Sequence, residues 1–110
     1  MNKIVKHYIC FDRGSRYWFD DHNYNVMFLK NQEHYFNDYL RYYAVEHGYI
    51  CLARLYEMLG VKPTEPNVFV SGWTKSYLDS KSYIDFGLEP LLTNDYGDIV
   101  LTIEVETPFD

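Results

Sequence analysis

The sequence predicts an α+β fold, and three observations carry that prediction. Short runs of β-branched and aromatic residues lie near both ends of the chain. Between residues 32 and 59 the apolar spacing shifts to the three-and-four period of helices. Gly48 and Gly60 then close the two periodic stretches, as helix-ending glycines do. Strands, then helices, then strands is the order of an α+β chain. At 110 residues a single domain, 1–110, is expected.

The elements follow in order. Residues 4–11 are β-branched and aromatic and read as a strand. Asp12-Arg13-Gly14-Ser15-Arg16 and Asp20-Asp21-His22-Asn23 are turn clusters on either side of a short strand at 17–19. Residues 24–29 complete an N-terminal β-meander. A helix over about 32–47 follows, with Tyr35, Phe36, Tyr39, Leu40 and Tyr43 on one face. Asn31 is its expected N-cap, and Glu33 lies in its first turn, where negative charge is favoured. A second helix over 51–59 carries Leu52, Leu55, Tyr56 and Leu59, and Pro63 and Pro66 prevent its continuation. C-terminal antiparallel strands are expected at 68–70, at 82–88 and at 99–105. The second of these alternates Ile84, Phe86 and Leu88 against Tyr83, Asp85 and Gly87; Asn94 to Asp98 forms a hairpin-type loop before the third.

Composition excludes several classes. A hydrophobic content of 47%, with 21 aromatic residues, excludes a disordered chain. No stretch approaches the roughly 18 consecutive apolar residues of a membrane span, so no membrane association is expected. The N-terminus lacks the apolar segment of a signal peptide, which points to an intracellular, cytoplasmic chain. Two cysteines, Cys10 and Cys51, are expected as reduced, buried thiols.

Charge is the most informative quantity. Residues 1–60 hold seven basic and seven acidic side chains, whereas residues 61–110 hold three lysines and nine acids. The net charge of −6 therefore belongs to the second half. From Ser82 onward Asp85, Glu89, Asp95, Asp98, Glu104, Glu106 and Asp110 meet no Lys or Arg in the sequence. Such a field repels phosphate backbones and attracts basic surfaces.

Reactive constellations are weak. His7 and Cys10 form an H-x-x-C pair that Asp20, Asp21 and His22 could complete as a zinc site, but alternation puts His7 and Cys10 on opposite strand faces. His47 and Cys51 lack the surroundings of a nucleophile. No phosphate loop or calcium loop is present. Residues 52–75 superficially resemble a helix-turn-helix, yet Val68-Phe69-Val70 and Gly72 are poor material for a recognition helix. No enzyme activity, cofactor or metal is expected, and direct nucleic-acid binding is not. Tyr35, Tyr39, Tyr42 and Tyr43 lie on one helix and cannot all face one core. Tyr42 is therefore expected outside, where tyrosine makes a good interface anchor.

Residues 48–88 carry a resemblance. Gly48-Tyr49-Ile50-Cys51-Leu52, then Leu55-Tyr56-Glu57-Met58-Leu59-Gly60, then Gly72-Trp73 and Tyr83-Ile84-Asp85-Phe86 resemble a module of small uncharacterised phage and prophage proteins. The module covers a third to a half of the chain. Its relatives tend to have Ser or Thr where this chain has Cys51; a thiol caps a helix poorly, so the second helix start is expected to be held by packing. The resemblance implies a phage or prophage origin and action inside a host cell. Some small acidic phage proteins occupy the nucleic-acid-binding surface of a host defence protein, as anti-CRISPR inhibitors do.

Charge and resemblance together lead to an expected function. The chain is read as a non-enzymatic binding protein that engages a basic host protein surface. Asp85, Glu89, Asp95, Asp98, Glu104 and Glu106 would form one acidic β-face, with Tyr42 and Tyr96 as anchors. The alternatives are a self-associating phage structural or assembly component, such as a homodimer, and a winged-helix-like DNA-binding protein.

Overall fold

The computed structural model describes residues 3–108. Its elements are β1 (Lys3–Phe11), α1 (His22–His47), β2 (Tyr49–Cys51), α2 (Leu52–Leu59), a 3-10 turn (Pro66–Phe69), β3 (Gly72–Thr74), α3 (Lys75–Lys81), β4 (Leu92–Thr93) and β5 (Ile99–Thr107). The fold is α+β. One antiparallel sheet runs in the order β1-β5-β3-β2, and β4 also pairs with β5.

The central strand follows directly from its sequence. Ile99, Leu101, Ile103 and Val105 are buried while Glu104 between them faces out, the period-2 pattern of a strand with one covered face. β1 pairs with β5 along its whole length, from Lys3 opposite Thr107 to Phe11 opposite Ile99. α1 contributes Leu29, Phe36, Leu40 and Ala44 to the core, and α2 contributes Leu52, Leu55, Tyr56 and Leu59. Trp73 and Phe86 meet Phe36 between them, with ring centroids 5.2 and 6.2 Å away.

The N-terminal meander is corrected: only its first strand exists. Residues 24–29 are the opening of α1, and 17–19 are irregular. The cause is a capping arrangement that outweighs local β-propensity. Asp21 is the N-cap, its carboxylate accepting from Tyr24 N at 3.1 Å. Buried Asn25 then clamps the preceding loop, accepting from Phe19 N at 3.0 Å and donating to Phe19 O at 2.7 Å. Asn31, expected as the cap, is an exposed residue inside a 26-residue helix. The predicted end stands: Gly48 is left-handed and its N–H reaches Ala44 O at 2.9 Å.

Further corrections fall in the second half. Residues 68–70 form no strand; Pro66 opens a 3-10 turn that buries Val68. β3 and α3 were not expected. Thr74 makes α3 possible, its hydroxyl accepting from Tyr77 N at 3.1 Å. Residues 82–88 run beside β5 with Ile84, Phe86 and Leu88 buried, as their alternation predicts. They are not a ladder strand, and Thr102 N to Phe86 O, at 3.1 Å, is their backbone bond to β5. Gly87 breaks this extended run at φ 71°, and a Cβ there would lie 3.0 Å from Thr102 O.

α2 begins without a side-chain cap, as its sequence implies, but a backbone hydrogen bond and not packing alone holds its start. Cys51 gives no capping bond; its thiol instead donates to Val68 O at 3.0 Å. The first amide of the helix, Leu52 N, is satisfied by Ser71 O at 2.7 Å. Both cysteines are free, but the expectation of buried thiols fails for Cys10, which is exposed, and Cys51 is only partly covered. Among the described residues no helix is long and apolar enough to cross a membrane.

Candidate binding surfaces: an acidic hairpin tip and a cation-rimmed groove

The β4–β5 hairpin is built by Asn94. Its side-chain oxygen accepts from Tyr96 N at 2.9 Å and from Asp98 N at 3.1 Å, and its amide donates to the Asp98 carboxylate at 3.0 Å. Main-chain bonds from Asn94 N to Asp98 O and from Gly97 N to Asn94 O, each 3.1 Å, close the turn. With the asparagine turned inward, Tyr96 points out and is 90% exposed.

Asp12 and Cys10 join this tip from β1. Ligand atoms of Cys10, Asp12 and Asp98 lie within 4.8 Å of one another. Burial, then the Asp12 and Asp98 carboxylates, push the Cys10 thiol up, so it stays protonated. Among the described residues these three side chains are close enough to share a cation, although they match no closed zinc set. None of the ion pairs among the described residues involves Asp12, Asp95 or Asp98.

The expected single acidic face is corrected: Asp85 lies beside Glu104 in one hollow and beside Glu89 in another, both shared with lysines, whereas Asp95 and Asp98 sit on the hairpin. Glu104 accepts from the Tyr77 hydroxyl at 3.0 Å, pairs with Lys81 at 3.6 Å and lies across from Lys6 in the β1–β5 register. Glu106 accepts from Thr74 N at 2.8 Å and Thr74 Oγ1 at 2.7 Å. Both carboxylates hold the β3–α3 junction against β5. Glu89 pairs with Lys30 of α1 at 3.7 Å, and Asp85 accepts from Gly87 N at 2.6 Å. Lysines distant in sequence thus oppose acids that no nearby residue opposes. Tyr42 is outside as expected, 81% exposed, but on α1 near its junction with β2. Of the predicted residues, Asp95, Tyr96 and Asp98 come together, while Asp85, Glu89, Glu104, Glu106 and Tyr42 do not join them. Asp110 lies outside the described residues.

Sequence reasoning missed a groove of about 850 Å³ between α2, Tyr39 of α1 and the 14–18 and 60–63 loops. The 14–18 loop docks on the end of α2 through Ser15 Oγ to Leu59 O and Arg16 N to Gly60 O, both 2.8 Å. The walls are mainly apolar, and Phe69 at the mouth is 62% exposed. Arg16, Arg54 and Lys62 rim it; Arg16 lies 5.9 Å over the Tyr17 ring, and Arg54 pairs with Glu57 at 3.7 Å. The turn Asp12-Arg13-Gly14-Ser15-Arg16 was legible, but its docking on Gly60 was not.

Two further polar contacts tie the helices to the strands. His7 on the inner face of β1 shares a 2.6 Å hydrogen bond with the Tyr56 hydroxyl. Burial lowers the His7 pKa against the opposing pull of Glu65, and pushes the Tyr56 phenol up to about 12. Glu33, mid-helix instead of in a first turn, accepts from the Tyr83 hydroxyl and Phe86 N, each at 2.8 Å. His7 and Cys10 thus face opposite sides of β1, as alternation predicts, and Asp21 is spent as a helix cap.

The sheet, its covering helices and these two surfaces define a small antiparallel α+β protein. The chain belongs to a family of unknown function, DUF6353, whose model matches residues 1–109. No curated protein and no solved structure matches it.

Proposed function

We propose that this chain is a non-enzymatic binding protein that engages a basic protein surface through its hairpin tip. One observation carries the reading: Tyr96, 90% exposed, stands between Asp95 and Asp98, neither of them in an ion pair among the described residues. An exposed ring supplies contact area at low entropic cost, and unopposed carboxylates steer a cationic partner toward it. The same carboxylates repel a phosphate backbone, so the partner is a protein and not a nucleic acid. In the phage setting that the resemblance implies, the partner is a host protein with a basic, nucleic-acid-binding surface. The protein then acts in the host cytoplasm as an inhibitor of the anti-CRISPR kind.

The test compares two baits in host lysate, wild type and the double variant D95K/D98K. The reading expects a basic protein retained by wild type and lost from the variant. With that protein purified, wild type should associate faster than the variant and lose its advantage as salt rises. Equal on-rates for the two would overturn the reading.

A further inference from the structure

We propose that the groove receives the acidic hairpin of a second copy of this chain, giving a two-fold dimer in which each hairpin enters the other copy's groove. This rests on the reading of the hairpin tip as an exposed anchor, but it needs no host partner.

Shape and charge both match. The hairpin is convex, with a single ring projecting at its turn and a carboxylate on either side. The groove is concave and about 850 Å³, a volume in the range of small-ligand sites and ample for one aromatic side chain. Its mouth leaves Phe69 and Tyr17 uncovered, apolar surface that a docked ring would remove from water. Three cations, Arg16, Arg54 and Lys62, stand at the rim against three carboxylates, Asp12, Asp95 and Asp98, at the tip. Glu57 offsets Arg54 in part, so the rim keeps a positive excess. The chain as a whole carries −6, so two copies repel each other unless these particular surfaces meet.

The position of the two surfaces selects the symmetry. Asp12 at the tip and Arg16 at the rim belong to one tight turn, closed by Ser15 N to Asp12 O at 2.9 Å. Tip and groove therefore occupy neighbouring parts of one end of the molecule. A two-fold axis can then satisfy both contacts at once, tip to groove and groove to tip, which is the self-complementary geometry of closed dimers. A contact made once per copy would instead propagate into chains.

A charge-swap experiment tests the dimer by sedimentation over a wide concentration range. Wild type should rise from 13.2 kDa toward twice that mass as concentration increases. D95K/D98K places lysines against the cationic rim, and R54E/K62E places glutamates against the acidic tip. Each variant alone should dimerise at least about tenfold more weakly, as like charges meet in both contacts. Mixed in equal amounts they should restore a dimer near wild-type affinity, since every contact in the mixed pair again joins opposite charges. Asp95, Arg54 and Lys62 are exposed and Asp98 is half-buried, so circular dichroism first identifies the variants that keep the wild-type fold, and only those are scored; Tyr96→Ala gives the same loss of dimer without altering charge. Wild type monomeric at every concentration overturns the proposal, as does a mixture that stays monomeric or a dimer that survives both variants. A monomeric wild type that still captures a host protein through Asp95 and Asp98 would overturn the dimer and leave the binding function standing.

Discussion

The two ends of β5 carry acids that do opposite work. At its C-terminal end Glu104 and Glu106 accept hydrogen bonds from Tyr77 and Thr74, and Lys81 neutralises part of their charge. At its N-terminal end Asp95 and Asp98 flank an exposed tyrosine and form no ion pair among the described residues. One pair fastens a helix to the sheet; the other's bond to Asn94 stays within its own end of the hairpin. Net charge by residue number makes the four look equivalent. Availability depends on which donors the fold brings near, and for Glu104 and Glu106 those donors come from residues 74–81.

The sharpest contrast is tested at the fastened end. There β2 and β3 approach so closely that a Cβ on Gly72 would overlap the Ile50 carbonyl oxygen. Gly72→Ala should therefore be the most damaging single change, at least about 4 kcal/mol, read as loss of a cooperative melt. Trp73→Ala, which empties a fully buried site and releases Glu104 O from the indole N–H at 2.8 Å, should cost about 3–5 kcal/mol. Next comes the carboxylate itself. Glu106→Ala strands Thr74 N and its hydroxyl and should cost about 2 kcal/mol, lowering Tm by roughly 8 °C. A Glu106→Ala protein that melts like wild type would erase the distinction between the two ends.

Much of the fold was legible. Alternation in 99–105 identified β5 and its buried face, and the same alternation placed Ile84, Phe86 and Leu88 inside even where the backbone forms no ladder. Gly48 and Gly60 marked both helix ends. The start of α1 was hidden because Tyr24, Val26 and Phe28 favour strands one by one, while the deciding contacts, Asn25 with Phe19 and Asp21 with Tyr24, involve residues that also make turns. β3 is three residues long, too short for any period to show. Of the candidate site, Asp95, Tyr96 and Asp98 could be found because loop chemistry is local. Asp12 and Cys10 could not, since β1 pairing brings them there, and the groove depends on Arg16 meeting Gly60 across the chain.

A smaller effect comes from the inner face of β1. Burial lowers the His7 pKa, so the unfolded chain binds a proton more readily than the folded one. Its contribution to stability is complete above the unfolded value of about 6.5 and is lost as pH falls below it. Thermal melts should show Tm declining on that acid side, and His7→Gln should flatten the decline while keeping a hydrogen-bonding side chain beside Tyr56. An identical pH dependence in the variant would locate the acid sensitivity elsewhere.

The least expected effect on stability lies at the hairpin, and it is the one that separates the two ends of β5 most cleanly. Asp95 makes no ion pair among the described residues, and Asp98 is held by Asn94, a contact confined to the turn. D95K/D98K should therefore cost no more than about 1 kcal/mol, the worth of the one Asn94 bond it removes. Glu106→Ala, by contrast, should lower Tm while leaving association through the tip unaltered. Stability and association are then moved by different carboxylates on the same strand end to end. If D95K/D98K lowered Tm as far as Glu106→Ala does, the hairpin carboxylates would be structural, and an acidic tip free to meet a partner would be lost with them.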